Sequence, residues 1–120
     1  MHSARLLDHF QNPRNAGEVA GADAVAETSN PVCGDILKLW ARIADGRIVQ
    51  VGFKCRGCVA AMACGSALTE LIAGQAIDVA RAITAAQVEA AVDGLESTSK
   101  HAAVLAVDTL EKLVDGFHVQ

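Results

Sequence analysis

The sequence predicts an α+β fold built on a small three-stranded antiparallel sheet. Three features carry that prediction. Strand-like segments come first along the chain and helix-like segments follow, which segregates sheet from helices. Ile36 to Ile43 alternates in side-chain character, the period of a half-buried strand. Asp45-Gly46, a strong hairpin signal, then leads into a second alternating run.

Each element follows from its own residues. Ser3 to Phe10 reads as a short amphipathic helix with Leu6, Leu7 and Phe10 on one side, ended by the loop around Pro13 and Gly17. Val25 to Thr28 forms a short strand, stopped by Ser29-Asn30-Pro31. In the second strand Leu37, Leu39, Ala41 and Ile43 share one face, and Ile36, Lys38, Trp40 and Arg42 the other. In the third, Val49, Val51, Phe53 and Cys55 lie opposite Gln50, Gly52 and Lys54. After Gly57 the period changes, and Cys58 to Ala73 reads as an Ala- and Gly-rich helix closed by Gly74. "DVARAI" and "TAAQVEAAV" give two further short helices, with Thr84 as N-cap and Gly94 as stop. The last helix starts in "STSK" and runs to about Val114, burying Val104, Leu105, Leu110 and Leu113.

Composition narrows the function. A chain of 120 residues without a repeat or linker is expected to be one domain, 1–120. Apolar residues at 52% against 20% charged are enough for a core, which excludes a disordered chain. A net charge of −4 with 3% aromatics argues against nucleic acid, because neither a basic footprint nor stacking platforms are present. The first residues, "MHSARLLDHFQNP", have neither a basic start nor a long apolar run, so the expectation is no signal peptide, no membrane span and a cytoplasmic location. Thiols stay reduced there. Four cysteines in that setting point to ligation or chemistry rather than to disulfides.

Four residues could meet at one point. Cys33 and Asp35 flank Gly34 at the start of a strand, so an extended backbone would aim both side chains to the same side. Cys58 follows Gly57 where strand turns into helix, and the helix dipole there is expected to lower the thiol pKa. His101 stands in the first turn of the last helix, where a helix dipole favours neutral imidazole, the metal-binding form.

The segments "NPRN" (12–15), "NPVCGD" (30–35), "FKCRGCVAAMACGSALTELIAG" (53–74) and "KHAAVLAVDTLEKLV" (100–114) resemble the U-type iron–sulfur cluster scaffold, IscU and the N-terminal domain of NifU, over nearly the whole chain. The resemblance implies a small antiparallel sheet with helices on one face. It implies a [2Fe–2S] cluster assembled with sulfur from a cysteine desulfurase and passed to recipient apoproteins, at a site that also takes Zn²⁺. Carried across, the site residues are Cys33, Asp35, Cys58 and His101, with Cys58 the candidate sulfur acceptor. The chain departs from the family at Ala102, where the third cysteine would stand, and "LESTSK" (95–100) replaces the chaperone-binding "L-P-P-V-K" patch. Cys55, three residues before Cys58, is the nearer substitute for the lost thiolate. Cys64 lies six residues beyond Cys58, about 240° around a helix, and points elsewhere.

Other readings stand beside this one. Cys33 and Cys58 could be cysteines without a role, Asp35 a brace at the strand start and His101 a satisfied helix-start histidine. The alternating pattern puts Cys55 on the apolar face, which makes it core filler as readily as ligand, and Cys64 reads as filler. Cys55 and Cys58 form a C-x-x-C pair, which raises thiol redox chemistry, although the helix-start cysteine is the second of the pair. The leading expectation is a scaffold or carrier rather than an enzyme. The alternative is a zinc- or iron-binding regulatory or sulfur-transfer protein on the same fold. A homo-oligomer is left open.

Overall fold

Asp45 and Gly46 both take positive φ, 53° and 73°, as a two-residue hairpin requires. They join β2 (Ile36–Ala44) to β3 (Arg47–Arg56). β1 (Ala24–Ser29) lies on the other side of β2, giving a sheet of order β1-β2-β3 with both pairings antiparallel. The computed structural model describes residues 1–31 and 34–118. Around the sheet it arranges α1 (Ala4–Gln11), α2 (Val59–Ile72), α3 (Ile77–Arg81), α4 (Ala85–Ala91), a 3₁₀ turn (Ser97–Ser99) and α5 (His101–His118).

The helices cover one sheet face. α2 packs on β3 and α5 on β1 and β2, enclosing Leu37, Leu39, Ala41, Ile48, Val51 and Phe53. α2 is apolar almost all round because it lies between the sheet and the other helices; Ala60, Ala61, Ala63, Ala67 and Leu68 are all buried. Its small residues permit the close approach: a Cβ on Gly65 would stand 2.9 Å from the Phe53 ring. Thr84 caps α4 as expected, and Gln87 completes the reciprocal capping box.

Three apolar residues face the other way from the sequence expectation. The register of β2 against β3 slips between Arg42 and Ile43, so that Arg42 pairs with Gln50 but Ile43 with Ile48. That bulge leaves Val49 as the extra residue and reverses parity beyond it. Val49 is therefore 53% exposed, and Ile48 is fully buried. In α1 the buried stripe is Leu6 and His9, three residues apart, while Leu7 turns outward. In α5 the stripe runs through Ala102, Ala103, Leu105, Ala106, Leu110, Leu113 and Val114, leaving Val104 on the solvent side. Alanines carry the contacts there that valine was expected to make.

His9 docks α1. Its Nδ1 shares a hydrogen bond with Ser66 Oγ at 2.8 Å, and that same oxygen accepts the Arg14 N–H. Its Nε2 lies 3.4 Å from Glu70 Oε1. Burial, helped by the nearby Arg14 charge, lowers the pKa of the ring from its ordinary 6.5. The folded protein thus holds His9 neutral while the unfolded chain takes up a proton. Its contribution to stability is complete above pH 6.5 and declines as pH falls through that value toward the lower folded pKa. Thermal midpoints measured between pH 7.5 and 5.5 are expected to drop more steeply in the wild type than in His9→Gln.

Candidate metal centre

Asp35 ends a tight turn. The Gly34 N–H donates to the Asn30 carbonyl at 2.7 Å, and the Asn30 N–H to the Asp35 carbonyl at 2.8 Å. Gly34 has φ +75°, so the backbone at this residue is not the extended one assumed from sequence. Cys33 lies outside the described residues. Asp35 itself is 3% exposed and faces the β3–α2 junction.

Gly57 makes room for that carboxylate. A Cβ at position 57 would lie 2.3 Å from Asp35 Oδ1. Cys58 follows as the N-cap of α2, its sulfur accepting the Ala61 N–H at 3.4 Å. The Cys58 N–H donates to Asp35 Oδ1 and its thiol to Asp35 Oδ2, each at 3.2 Å. His101, the first residue of α5, brings Nε2 to 3.5 Å from Asp35 Oδ2 and 4.0 Å from Cys58 Sγ. One carboxylate oxygen, one sulfur and one ring nitrogen all lie within 4.8 Å of one another.

The pattern of contacts separates two chemistries. In a nucleophile–base–orienter arrangement, the carboxylate engages the ring nitrogen opposite the one facing the nucleophile. Here sulfur and carboxylate both face Nε2, so their lone pairs converge on a common point. Bonds of 2.0–2.3 Å to a tetrahedral ion imply donor atoms about 3.3–3.8 Å apart. Separations of 3.2, 3.5 and 4.0 Å suit such an ion with only small adjustments. The donor set fits iron or zinc, since it offers a soft thiolate, an imidazole and a carboxylate.

The Cys58 thiol departs from the sequence expectation. Its pKa is raised rather than lowered, first by burial and then by the Asp35 hydrogen bond and charge. The Ala61 and Ala60 N–H groups act in the direction expected of a helix start but do not prevail. Burial first, and Asp35 after it, favour the protonated thiol at rest, and a bound cation would favour the thiolate instead.

The two other described thiols fall outside this group. Cys55 lies on the inner sheet face opposite Leu37, half-buried, and falls outside the three-residue group. Burial, with the Asp35 and Cys58 charges, pushes its thiol up to about 12. Cys64 is fully buried in α2, and burial pushes it to about 12 as well. Ala102 is buried beside His101 and brings no sulfur to the centre. Two contributors were not singled out from sequence: Gly57 as the seat of the Asp35 carboxylate, and Glu89, which holds the chain leading into His101. A glycine directly before Cys58 was the one available signal for the first. Glu89 and Lys100 stand on opposite sides of the Gly94 helix stop, so no helical period links them and the second gave none.

Fold and centre define a small α+β protein that gathers side chains of metal-ligating type where a strand, a helix start and a second helix start meet. The chain belongs to the NifU-like N terminal domain family, whose model matches residues 1–120. It is 42% identical over 118 residues to iron-sulfur cluster assembly scaffold protein IscU 1 of Archaeoglobus fulgidus, covering 98% of this chain and 77% of that one. The Escherichia coli scaffold protein IscU is 31% identical over 117 residues, covering 94% and 91%. Among solved structures, a putative SUF-system scaffold from Fervidobacterium islandicum superposes with a TM-score of 0.78 at 22% identity, covering 94% of this chain and 96% of that one. That likeness extends to the fold.

Proposed function

We propose that this protein is an iron–sulfur cluster assembly scaffold, acting without turnover chemistry of its own in the cytoplasm. Iron and sulfur are its cargo, joined as a [2Fe–2S] cluster and handed to recipient apoproteins. The observation that carries the reading is the convergence of Cys58 Sγ, Asp35 Oδ2 and His101 Nε2 in a chain of this family. Cys33 completes the ligand set, and Cys55 is the reserve thiol for the position that Ala102 leaves without sulfur.

Cys58 is the sulfur acceptor in this reading. At rest the thiol keeps its proton and donates to Asp35 Oδ2 at 3.2 Å; when the sulfur donor docks, that oxygen is the base that receives the proton. The thiolate then attacks the outer sulfur of a desulfurase persulfide. A new S–S bond forms on Cys58 as the donor's S–S bond breaks, and the departing donor sulfur takes the proton back from Asp35 to leave as a thiol. Asp35 is also the harder, more exchangeable ligand, which keeps the cargo transferable.

Zinc is the second reading, favoured by donor separations that suit one tetrahedral ion. Anaerobic reconstitution with iron and sulfide, followed by absorption spectroscopy and metal analysis, separates the two. The scaffold reading expects a coloured cluster in the wild type that disappears in Cys33→Ala and Cys58→Ala and persists in Cys64→Ala. Loss in Cys55→Ala identifies Cys55 as the substitute thiolate. Stoichiometric zinc with no cluster under any condition overturns the scaffold reading in favour of the second.

A further inference from the structure

His101 reaches the centre by a different route from its neighbours. Asp35 and Cys58 are tied to each other by two hydrogen bonds. His101 arrives after an irregular stretch, 92–100, that holds only the short 3₁₀ turn. The core grips α5 from Ala102 and Ala103 onward, both buried. One position earlier the helix is just starting, where helices fray.

Glu89 holds this stretch at both ends. Its main-chain carbonyl accepts the Val92 N–H at 3.1 Å and the Gly94 N–H at 2.9 Å, closing α4. Its carboxylate Oε2 accepts the Leu95 N–H at 3.4 Å and also the Lys100 ammonium. One oxygen therefore joins the first and last residues of the 95–100 segment, and Lys100 is covalently next to His101. The Glu89 and Lys100 side chains are 25% and 55% exposed, and so accessible an ion pair adds little to stability. Its consequence is geometric.

We propose that Glu89 is a positioning residue of the metal centre: by buckling the 95–100 segment, it sets how far the His101 imidazole stands from Cys58 and Asp35. The proposal rests on the metal-binding reading above and adds to it a residue that is not itself a ligand. Val88, next to it, is fully buried, so α4 supplies a fixed anchor for the buckle.

Cobalt(II), titrated into the full-length chain and read by its thiolate charge-transfer absorption, tests this. Glu89→Ala is expected to weaken cobalt binding about tenfold, the low end of what outer-shell partners contribute. Glu89→Gln, which keeps an acceptor for the Leu95 N–H, is expected to lose less. In a His101→Ala background, Glu89→Ala is expected to change affinity by less than about twofold, because the residue it positions is gone. Equal losses in both backgrounds would mean a general structural effect and overturn the proposal. The metal-free protein gives an independent readout through its histidine ring ¹H–¹³C resonances. Glu89→Ala is expected to shift and broaden those of His101 while leaving those of His9 in place; an unmoved His101 signal also overturns it. Absence of cobalt binding in the wild type, with His101 still responsive to Glu89, would instead sink the metal reading and leave the positioning role standing.

Discussion

Cys58→Ala is expected to lose metal binding and helix stability together, whereas Cys58→Ser loses only the first. The residue has two separable tasks: its sulfur is a candidate ligand, and the same atom caps α2 by accepting the Ala61 N–H. Serine oxygen is a better hydrogen-bond acceptor than a thiol and a preferred N-cap, so Cys58→Ser should match or exceed wild-type stability. Alanine cannot cap and should cost about 1 kcal/mol. Both variants are expected to weaken cobalt binding by at least about a hundredfold, the upper end of outer-shell effects and a lower bound for deleting a ligand. Thermal denaturation beside a cobalt titration reads both quantities. Wild-type cobalt affinity in Cys58→Ser would remove this sulfur from the centre.

The second large effect is expected at Gly57. A Cβ there would sit 2.3 Å from Asp35 Oδ1, 2.6 Å from its Cγ and 2.9 Å from its Cβ. No rotation of a flexible tail relieves such contacts, because Asp35 is short and both its oxygens are engaged by Cys58. Gly57→Ala should therefore destabilise by about 1–3 kcal/mol, the range for forcing extra volume into a packed site. It should weaken metal binding as well. In an Asp35→Ala background, part of the stability cost should vanish, since the two carboxylate contacts are gone while the 2.9 Å contact with the Cβ at position 35 remains. Chemical denaturation of the four proteins in that cycle is the measurement. A Gly57→Ala protein with unchanged stability and cobalt affinity would show that the junction is looser than its geometry implies.

Much of the fold is written locally. The Asp45-Gly46 turn, the alternation along Ile36 to Ile43 and the Thr84 cap each depend on residues within one turn or one strand, and each stands where it was expected. The misplacements have a common origin. Val49 was turned outward by a bulge that only the pairing of β2 with β3 reveals. Leu7 and Val104 were turned outward because their helices dock along narrower or more alanine-rich stripes than hydropathy suggests. Periodicity reports that a helix has an apolar side, but the partner chooses its centre line.

The same division runs through the candidate metal centre. Sequence by itself determined the donor types, the positions of Cys58 and His101 at helix starts and the place of Asp35 at the head of a strand, because these follow from short-range rules of turns and caps. Tertiary structure alone decided that residues 35, 58 and 101 share one point, that Cys55 stands aside from it, and that the Cys58 thiol holds its proton. Those outcomes depend on distance and burial, which arise when separate elements close on one another. A helix dipole is a property of one segment; the burial that outweighs it, with the carboxylate adding to it, arises only when other segments close over the sulfur.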